Sequence, residues 1–545
     1  MTRAEFDRPA PVESPGGLTS GNGVRTACAT LLLAVAALPT PTAAQVRTGF
    51  DVVETTIAQV HTEFTAGRLT CRQLVQAYLD RIDAYDKRGP AINSLILVNP
   101  RALQIADSLD RRFAGEGLTG PLHCVPTIVK DNFETNDLQT TAGSLSLAGW
   151  IPTRDATQVA RIKAAGAIVL AKSNLAEWAF TPYETVSSIL PGYTRNPYDL
   201  ARVTAGSSGG TAAAVAASLG LVGLGSDTGN SIRGPSSHQA LFGIRSTMGL
   251  TSRAGVVPLN NRADIAGPMT RTVADAVKVL QVIAGSDPAD PVTAPADARR
   301  EVDYNAFVKA GALRGARIGV LRQAYVSATT DSEVVRVFER ALGEMRAAGA
   351  VVVDSAGLDS LRALTRAVGG GCSAFKFDLE GYFAARGEGA PVKTIDAILR
   401  SGRYHPTVQG RLQNAQRDTI PPEVSPGCVN REEVVRPRFR AAVTALMDSL
   451  KLDALVYPTW SNPPRLIGDL NTPAGDNSQL FSPLSGFPAM TVPIGYTRND
   501  ALPAGMTFFG RAWSEGALIA LSFDYERATH HRRPPLATPR LGSAR

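Results

Sequence analysis

The chain has 545 residues, of which 44% are hydrophobic and 19% are charged. These proportions are ordinary for a globular protein that buries a sizeable core. The net charge of +7 is small for this length, and the arginines are scattered instead of forming a basic stripe interleaved with aromatic residues. We therefore expect a protein that binds no nucleic acid.

The N-terminus resembles a secretory signal. Arg25 precedes an apolar run over residues 27–38, and small residues follow up to Ala44. Such a run is too short to cross a bilayer, which needs about 20 apolar residues. We predict that residues 1–44 form a leader and signal peptide cleaved near Ala44, that the mature protein is secreted or periplasmic, and that it has no stable membrane span. The alternative is a buried N-terminal helix.

Helical spacing of apolar residues covers 52–86, with Thr70 as a helix N-cap and Gly89-Pro90 as a stop. The next predicted elements are a strand at 92–98, a helix at 100–113, a strand at 125–129, a helix at 157–165, a strand at 167–171, a helix at 211–219 and strands at 221–224 and 318–321, then a helix at 332–348 and a strand at 351–353. This alternation predicts one large α/β domain over 50–530. Residues 385–430 show weak periodicity, and 536–545 are predicted to be a flexible tail.

Removal of the leader would leave four cysteines, Cys71, Cys124, Cys372 and Cys428. None belongs to a Cys-x-x-Cys pair, so we expect no structural zinc site. An oxidising compartment would permit disulfides, but so few cysteines in a long chain do not form a disulfide scaffold. Buried thiols are the favoured interpretation.

Two glycine-rich loops carry serines. The first reads Ala205-Gly206-Ser207-Ser208-Gly209-Gly210, and the second extends over 225–235 and contains Ser231. Glycine allows close approach of the backbone to a ligand, exposed serines are candidate nucleophiles, and neighbouring N–H groups are candidate oxyanion donors. The alternatives are ordinary turns or an anion-binding nest.

Lys130 is the candidate base for such a serine, and it follows the predicted strand at 125–129. A lysine accepts a proton only when neutral, which requires a pKa lowered by burial. A surface lysine, or an ion pair with Asp131, is the alternative. The combination of Lys130 with the two serine loops favours the catalytic interpretation.

Other patterns are weaker. Residues 206–210 formally match the Gly-x-Ser-x-Gly turn of α/β-hydrolases, but a proline- and glycine-rich loop precedes them instead of a strand. Ser373 and Lys376 have the Ser-x-x-Lys spacing, and 166–173 is one glycine short of a phosphate-binding loop. We interpret all three as coincidental.

The two loops together resemble those of the amidase signature family. Ala205 stands where that family has the first glycine of Gly-Gly-Ser-Ser-Gly-Gly, while Ser226 and Asn230 replace a threonine and a glycine of its second motif. The resemblance covers about residues 50–530. It also includes the segments 70–82, 172–178 and 486–493.

The resemblance implies a twisted mixed β-sheet flanked by helices, and hydrolysis of a carboxamide to a carboxylate plus ammonia or an amine, with no cofactor and no metal. Ser231 would be the nucleophile, Ser207 the relay beside a cis peptide bond, and Lys130 the base. The implied oxyanion donors are the N–H groups of Thr228, Gly229, Asn230 and Ser231. The expected partner is a small-molecule amide, and a homodimer is compatible with this function.

Ser208 and Asp227 are expected to support the loops. Asn230 is expected to tolerate a left-handed backbone, although its side chain would narrow the pocket. Pocket walls are expected from 182–193 and 370–430. Alternative functions are an amidotransferase subunit that acts on aminoacyl-tRNA with an ammonia-delivering partner, an esterase, and a non-catalytic binding protein.

Overall fold

Strands and helices alternate along the part of the chain that the structure describes. The computed structural model describes residues 50–542 except 360, 362 and 365–371, so the predicted leader at 1–44 lies outside the described residues. The strands, in chain order, are β1 Leu95–Val98, β2 Pro126–Lys130, β3 Ile168–Ser173, β4 Arg195–Asn196, β5 Asp199–Val203, β6 Val222–Asp227, β7 Phe242–Arg245, β8 Ile265–Thr270, β9 Arg317–Val320, β10 Val351–Val353, β11 Ala454–Pro458, β12 Ala489–Thr497 and β13 Leu502–Phe509.

Eleven of these strands form one mixed sheet in the order β1-β3-β2-β6-β8-β7-β12-β13-β11-β9-β10, and β4 pairs with β5 separately. The strands β2, β3 and β6 run parallel, whereas β6, β8, β7, β12 and β13 alternate in direction. The predicted α/β class with a mixed sheet core is confirmed.

Helices flank the sheet. Those of the described residues span Ile57–Thr65, Cys71–Tyr85, Ala102–Glu116, Thr157–Ala164, Gly209–Ala216, Arg233–His238, Val273–Ile283, Ala296–Arg299, Ser332–Ala347, Phe375–Ala384, Ile395–Ser401, Gln409–Gln416, Pro426–Asn430, Arg436–Ser449, Ser482–Ser485 and Glu515–Thr529. Thr70 caps the second helix through a reciprocal capping box with Gln73, as the sequence predicts. Among these helices, none is long and apolar enough to cross a membrane.

The parallel neighbours β2 and β6 end at the same edge of the sheet, because their register pairs Val129 with Leu224. Lys130 is the last residue of β2, and β6 ends at Asp227, so the sheet itself brings Lys130 to the second serine loop. The helix Gly209–Ala216 is buried along its length and packs on both strands. A Cβ at Gly223 would lie 2.5 Å from Thr211 Cγ2, so glycine is what permits this close packing.

The weakly periodic segment 385–430 folds into short helices. Its side chains Ile395, Ile398 and Leu412 form part of an apolar cluster separate from the main core. This cluster also contains Phe180 and Phe375, which places the segment beside the candidate site. At the other end of the chain, the backbone carbonyls of 538 and 539 accept hydrogen bonds from Arg81, so this part of the expected tail is held against a helix.

The interpretation of the cysteines as thiols is wrong. Cys71 and Cys124 form one disulfide with their Cα atoms 5.7 Å apart, and Cys372 and Cys428 form another with a Cα separation of 4.5 Å. Each bond joins residues more than fifty positions apart, so neither pairing shows as a local spacing in the sequence. The first bond ties a helix N-terminus to the residues before β2. The second ties the segment before Phe375–Ala384 to the helix Pro426–Asn430.

Candidate active site

Lys130 is completely buried at the end of β2. Its Nζ lies 2.7 Å from Ser207 Oγ, 2.8 Å from Ser226 Oγ and 3.3 Å from Ser226 O. None of the ion pairs formed by the described residues includes Lys130. Burial lowers the pKa of Lys130 to about 7, although the carboxylates of Asp227 and Asp264 oppose this shift. A large share of the protein therefore carries a neutral Lys130 near neutral pH.

Asp131 does not pair with Lys130. Its carboxylate lies 2.9 Å from Nζ of Lys172, and both side chains are fully buried. The alternative that Lys130 is a surface lysine, or the ion-pair partner of Asp131, is therefore wrong. Successive residues of a strand point to opposite faces, so the neighbours Lys130 and Asp131 diverge.

The first serine loop presents Ser207 to Lys130. The peptide bond between Gly206 and Ser207 is cis, as the resemblance implies. A Cβ at Gly206 would overlap the backbone carbonyl oxygen of Glu184, so only glycine fits there. Ser208 Oγ donates a hydrogen bond of 3.0 Å to Ser226 O, which agrees with its expected supporting role.

Asp227 fixes the second loop. Its buried carboxylate pairs with Arg233 and Arg245 at 3.1 Å each, and Oδ2 accepts the N–H groups of Ile232 and Arg233. Burial alone would raise the pKa of Asp227, but the two guanidinium groups and these hydrogen bonds lower it to about 2. The loop before the helix Arg233–His238 is thus held by a permanent charge network, as expected for a supporting residue.

Residues 228–231 form the turn between β6 and that helix. Within the described part of the chain, their N–H groups find no backbone or side-chain acceptor. Four free donors in one turn beside a cavity suit an oxyanion. Thr228 Oγ1 donates 2.5 Å to Asp264 Oδ1, which anchors the start of the turn.

The two serine loops touch through their backbones, since Ser208 N donates to Ser231 O at 3.3 Å. Ser231 Oγ donates to Asn230 Oδ1 at 3.4 Å, and the hydrogen bonds of the described residues include none between Ser207 and Ser231. Asn230 does not have a left-handed backbone conformation, so its expected tolerance of that conformation is not needed here. Its side chain lines the cavity, in keeping with the expected narrowing of the pocket, and its Oδ1 accepts a hydrogen bond from the Ser231 hydroxyl, which the sequence did not predict.

Known proteins resemble this chain over most of its length. The model of the Amidase family matches residues 73–519. The chain belongs to this family. A probable amidase of Arabidopsis thaliana is 32% identical over 506 residues, covering 89% of this chain and 92% of that protein. The native peptide amidase of Stenotrophomonas maltophilia is 37% identical with a TM-score of 0.80, covering 89% of this chain and 99% of that one.

The relatives are not all named as hydrolases. One component of the glutamyl-tRNA(Gln) amidotransferase of Moorella thermoacetica is 33% identical over 484 residues, which cover 86% of this chain and 96% of that component. Membership of the amidase family supports a hydrolase acting on carbon–nitrogen bonds of small molecules.

A cavity of about 400 Å³ reaches from residues 228–231 to the apolar cluster around Phe180. The rings of Phe180 and Phe375 meet edge to face at 4.6 Å on its wall. Further lining comes from Pro182, 372–375 and Arg411, so the expected sources of the pocket walls are confirmed in these places.

The pair Ser373 and Lys376 is not a second site. Ser373 Oγ donates to Asp418, and Lys376 Nζ donates to the carbonyls of Gln416 and Asp418 at 3.3 and 3.2 Å. The coincidental interpretation holds, because both side chains bind residues 416 and 418, and the hydrogen bonds of the described residues include none between the two. The described residues contain no group of three or more His, Cys, Asp or Glu side chains placed to hold a metal ion.

Proposed function

We propose that this protein is an amidase that hydrolyses a carboxamide to a carboxylate plus ammonia or an amine through an acyl-enzyme on Ser231. The observation that carries the proposal is the contact of 2.7 Å between the Nζ of a buried lysine without an ion-pair partner among the described residues and Ser207 Oγ. A buried neutral amine at hydrogen-bond distance from a hydroxyl meets the requirements of geometry and pKa for a general base.

The proton path has two steps. Ser231 Oγ turns from Asn230 towards Ser207, attacks the carbonyl carbon and gives its proton to Ser207, whose own proton passes to Lys130. The tetrahedral intermediate then expels the amine, which takes a proton back from Lys130 through Ser207. Water attacks the acyl-enzyme by the same path and releases the carboxylate and Ser231.

The negative charge of the intermediate needs donors that are already in place. The free N–H groups of residues 228–231 supply them, and the removal of one such donor costs about 3–4 kcal/mol in other enzymes. The network of Asp227 with Arg233 and Arg245 keeps the turn from rearranging during the reaction.

A panel of aliphatic, aryl and peptide amides, followed by release of ammonia or amine, tests the proposal. We expect turnover in the native protein and none above background in Ser231→Ala. Ser373→Ala is the matched control, because Ser373 lines the same cavity but has no part in the proton path. Substantial turnover by Ser231→Ala would remove the nucleophile assignment, and no turnover of any amide by the native protein would remove the function.

The names of the relatives favour one second candidate, an amidotransferase subunit that works with an ammonia-delivering partner and a tRNA. The two candidates differ in what they need. An amidase releases ammonia from simple amides with no further component, whereas this alternative requires the tRNA and the partner for product formation. Matched esters in the same panel show whether the acyl-enzyme also forms from an oxygen leaving group. We expect no nucleic-acid partner.

We also propose that the mature protein is secreted or periplasmic. The two disulfides support this, because such bonds persist in oxidising compartments. N-terminal peptide mapping of the mature protein tests the proposal. A start near Gln45 is expected, and a mature chain that retains residues 1–44 would contradict it.

A further inference from the structure

The cavity beside Ser231 is lined by cations without anions. Four arginines, Arg262, Arg411, Arg431 and Arg436, line it, and no Asp or Glu is among its described lining residues. A wall of one charge sign concentrates ligands of the opposite sign. The question is which of the four is available to a ligand.

One of them is held by acidic side chains from outside the cavity. Arg262 lies 2.9 Å from Glu423 and 3.7 Å from Asp378. Its guanidinium is therefore neutralised by neighbours.

Another two share one carboxylate. Arg431 lies 3.1 Å and Arg436 lies 2.8 Å from Glu432. Arg436 also donates to the backbone carbonyls of 262, 483 and 484, so it holds segments of the wall together. Its donors are occupied by the protein itself.

Arg411 differs. It lies in the helix Gln409–Gln416, it is exposed, and no ion pair of the described residues includes it. Its guanidinium carbon lies 4.6 Å from the centre of the Phe180 ring, and Nη1 donates to the Phe180 carbonyl. Nε and Nη2 make no hydrogen bond within the described part of the protein. Stacking on the buried Phe180 ring keeps the guanidinium group in one place while its Nε and Nη2 donors stay free.

We propose that the substrate of this site carries a carboxylate, which Arg411 binds while the amide carbonyl lies at Ser231. This inference rests on the proposed amidase function and names the chemical class of its substrate, an anionic carboxamide. An arginine fork is matched to a carboxylate in geometry as well as in charge. The carboxylate belongs either to the acyl part or to the amine part of the substrate.

Two pairs of amides show whether the carboxylate belongs to the acyl part or to the amine part of the substrate. Adipamic acid against hexanamide places a carboxylate or a methyl group on the acyl side. N-hexanoyl-β-alanine against N-propylhexanamide makes the same exchange on the amine side. We expect the anionic member of one pair to have a kcat/KM higher by about tenfold or more, since a hydrogen bond to a charged group contributes a factor of this size.

The variant Arg411→Gln should remove that preference, so that the kcat/KM values of the anionic and the neutral amide of that pair become equal, since glutamine offers a carboxylate neither the charge nor the paired donors of a guanidinium group. Arg417→Gln is the matched control, because Arg417 caps the same helix but does not line the cavity. Thermal unfolding of both variants shows whether the fold is kept. Equal preference in native protein and Arg411→Gln would overturn the role of Arg411.

Binding to the inactive Ser231→Ala variant, measured by calorimetry, tests the carboxylate site separately from the amidase function. If Ser231→Ala binds an anionic amide more tightly than its neutral partner, and the double variant Ser231→Ala with Arg411→Gln does not, the carboxylate site is supported. This holds even if the native protein cleaves neither amide. Equal binding of both members of both pairs overturns this inference, whereas cleavage of the neutral amides alone would leave the amidase function standing.

Discussion

Two lysines on neighbouring strands share the same burial and have opposite surroundings. Lys130 ends β2 and Lys172 lies in the adjacent β3, and neither side chain has any exposed surface. Lys172 Nζ has the Asp131 carboxylate at 2.9 Å and four oxygen acceptors, from Phe133, Thr135, Gln139 and Thr140, at 2.9–3.2 Å.

Lys130 has hydroxyl and carbonyl oxygens around it but, among the described residues, no carboxylate in direct contact. Burial lowers the pKa of both lysines, and at Lys172 the Asp131 carboxylate opposes this shift directly. The comparison shows that burial alone does not turn a lysine into a base. The lysine must also lack a counter-ion, because a buried ammonium group without one loses its proton.

The largest expected effect is the loss of activity in Lys130→Met. Without a base, kcat/KM should fall by about 10²- to 10⁴-fold. The free energy of unfolding should not fall, because a buried amine is exchanged for an apolar side chain of similar length. Turnover together with thermal unfolding measures both, and a variant that retains native turnover would contradict the role of Lys130.

In Lys172→Met we expect the stability to fall instead of the catalytic step being lost. The Asp131 carboxylate would be left buried and unpaired, at a cost of about 3–5 kcal/mol in the free energy of unfolding. Denaturant unfolding measures this cost. The double variant Lys172→Met with Asp131→Asn is the control, and it should recover part of the loss. Unchanged stability in the single variant would mean that the buried pair is not what separates the two lysines.

The pH dependence sharpens the comparison further. Only the neutral form of Lys130 accepts a proton, so kcat/KM should rise with pH and level off above the lowered pKa of about 7. Below it, each pH unit should cost about tenfold, because the neutral fraction falls by that factor. The rise of kcat/KM with pH should be absent from any residual activity of Lys130→Met. A flat profile with chemistry rate-limiting in the native protein would contradict a neutral Lys130.

Ser226→Ala should have the smallest effect. Ser226 Oγ is one of the oxygen atoms around Lys130 Nζ and also accepts from Asn132 Nδ2 at 3.0 Å. Of the two hydrogen bonds that this variant removes, the one from Lys130 bears on the base, and its loss of about 1 kcal/mol predicts a fall in kcat/KM of about fivefold. Ser226→Thr keeps the hydroxyl and should stay near the native rate. A loss as large as that of Lys130→Met would show that Ser226 belongs to the proton path itself.

Much of the secondary structure around the site can be predicted from the sequence. The strand predicted at 125–129 places Lys130 at a strand end, and the structure has β2 at Pro126–Lys130. Thr70 is the predicted cap, and the predicted strand at 351–353 matches β10. These features depend on local spacing and cap chemistry, which a sequence carries directly.

The rest depends on partners distant in sequence. The pairing of Asp131 with Lys172 and the two disulfides need the strand order and the packing of segments some forty to fifty-six residues apart. Arg411 is one of many scattered arginines until the fold places it on Phe180. The contact of Asn230 with the Ser231 hydroxyl is a side-chain orientation, and a motif does not specify it.

Direct titration of the two lysines tests the central claim. Proton–carbon correlation spectra of protein with ¹³Cε-labelled lysine report each amine separately, and Lys130→Met and Lys172→Met assign the two signals. We expect the Lys130 signal to titrate at about pH 7, while the Lys172 signal stays that of an ammonium group through the same range. A Lys130 signal that remains protonated above about pH 9, well past the lowered pKa, or a Lys172 signal that titrates beside it, would contradict the account.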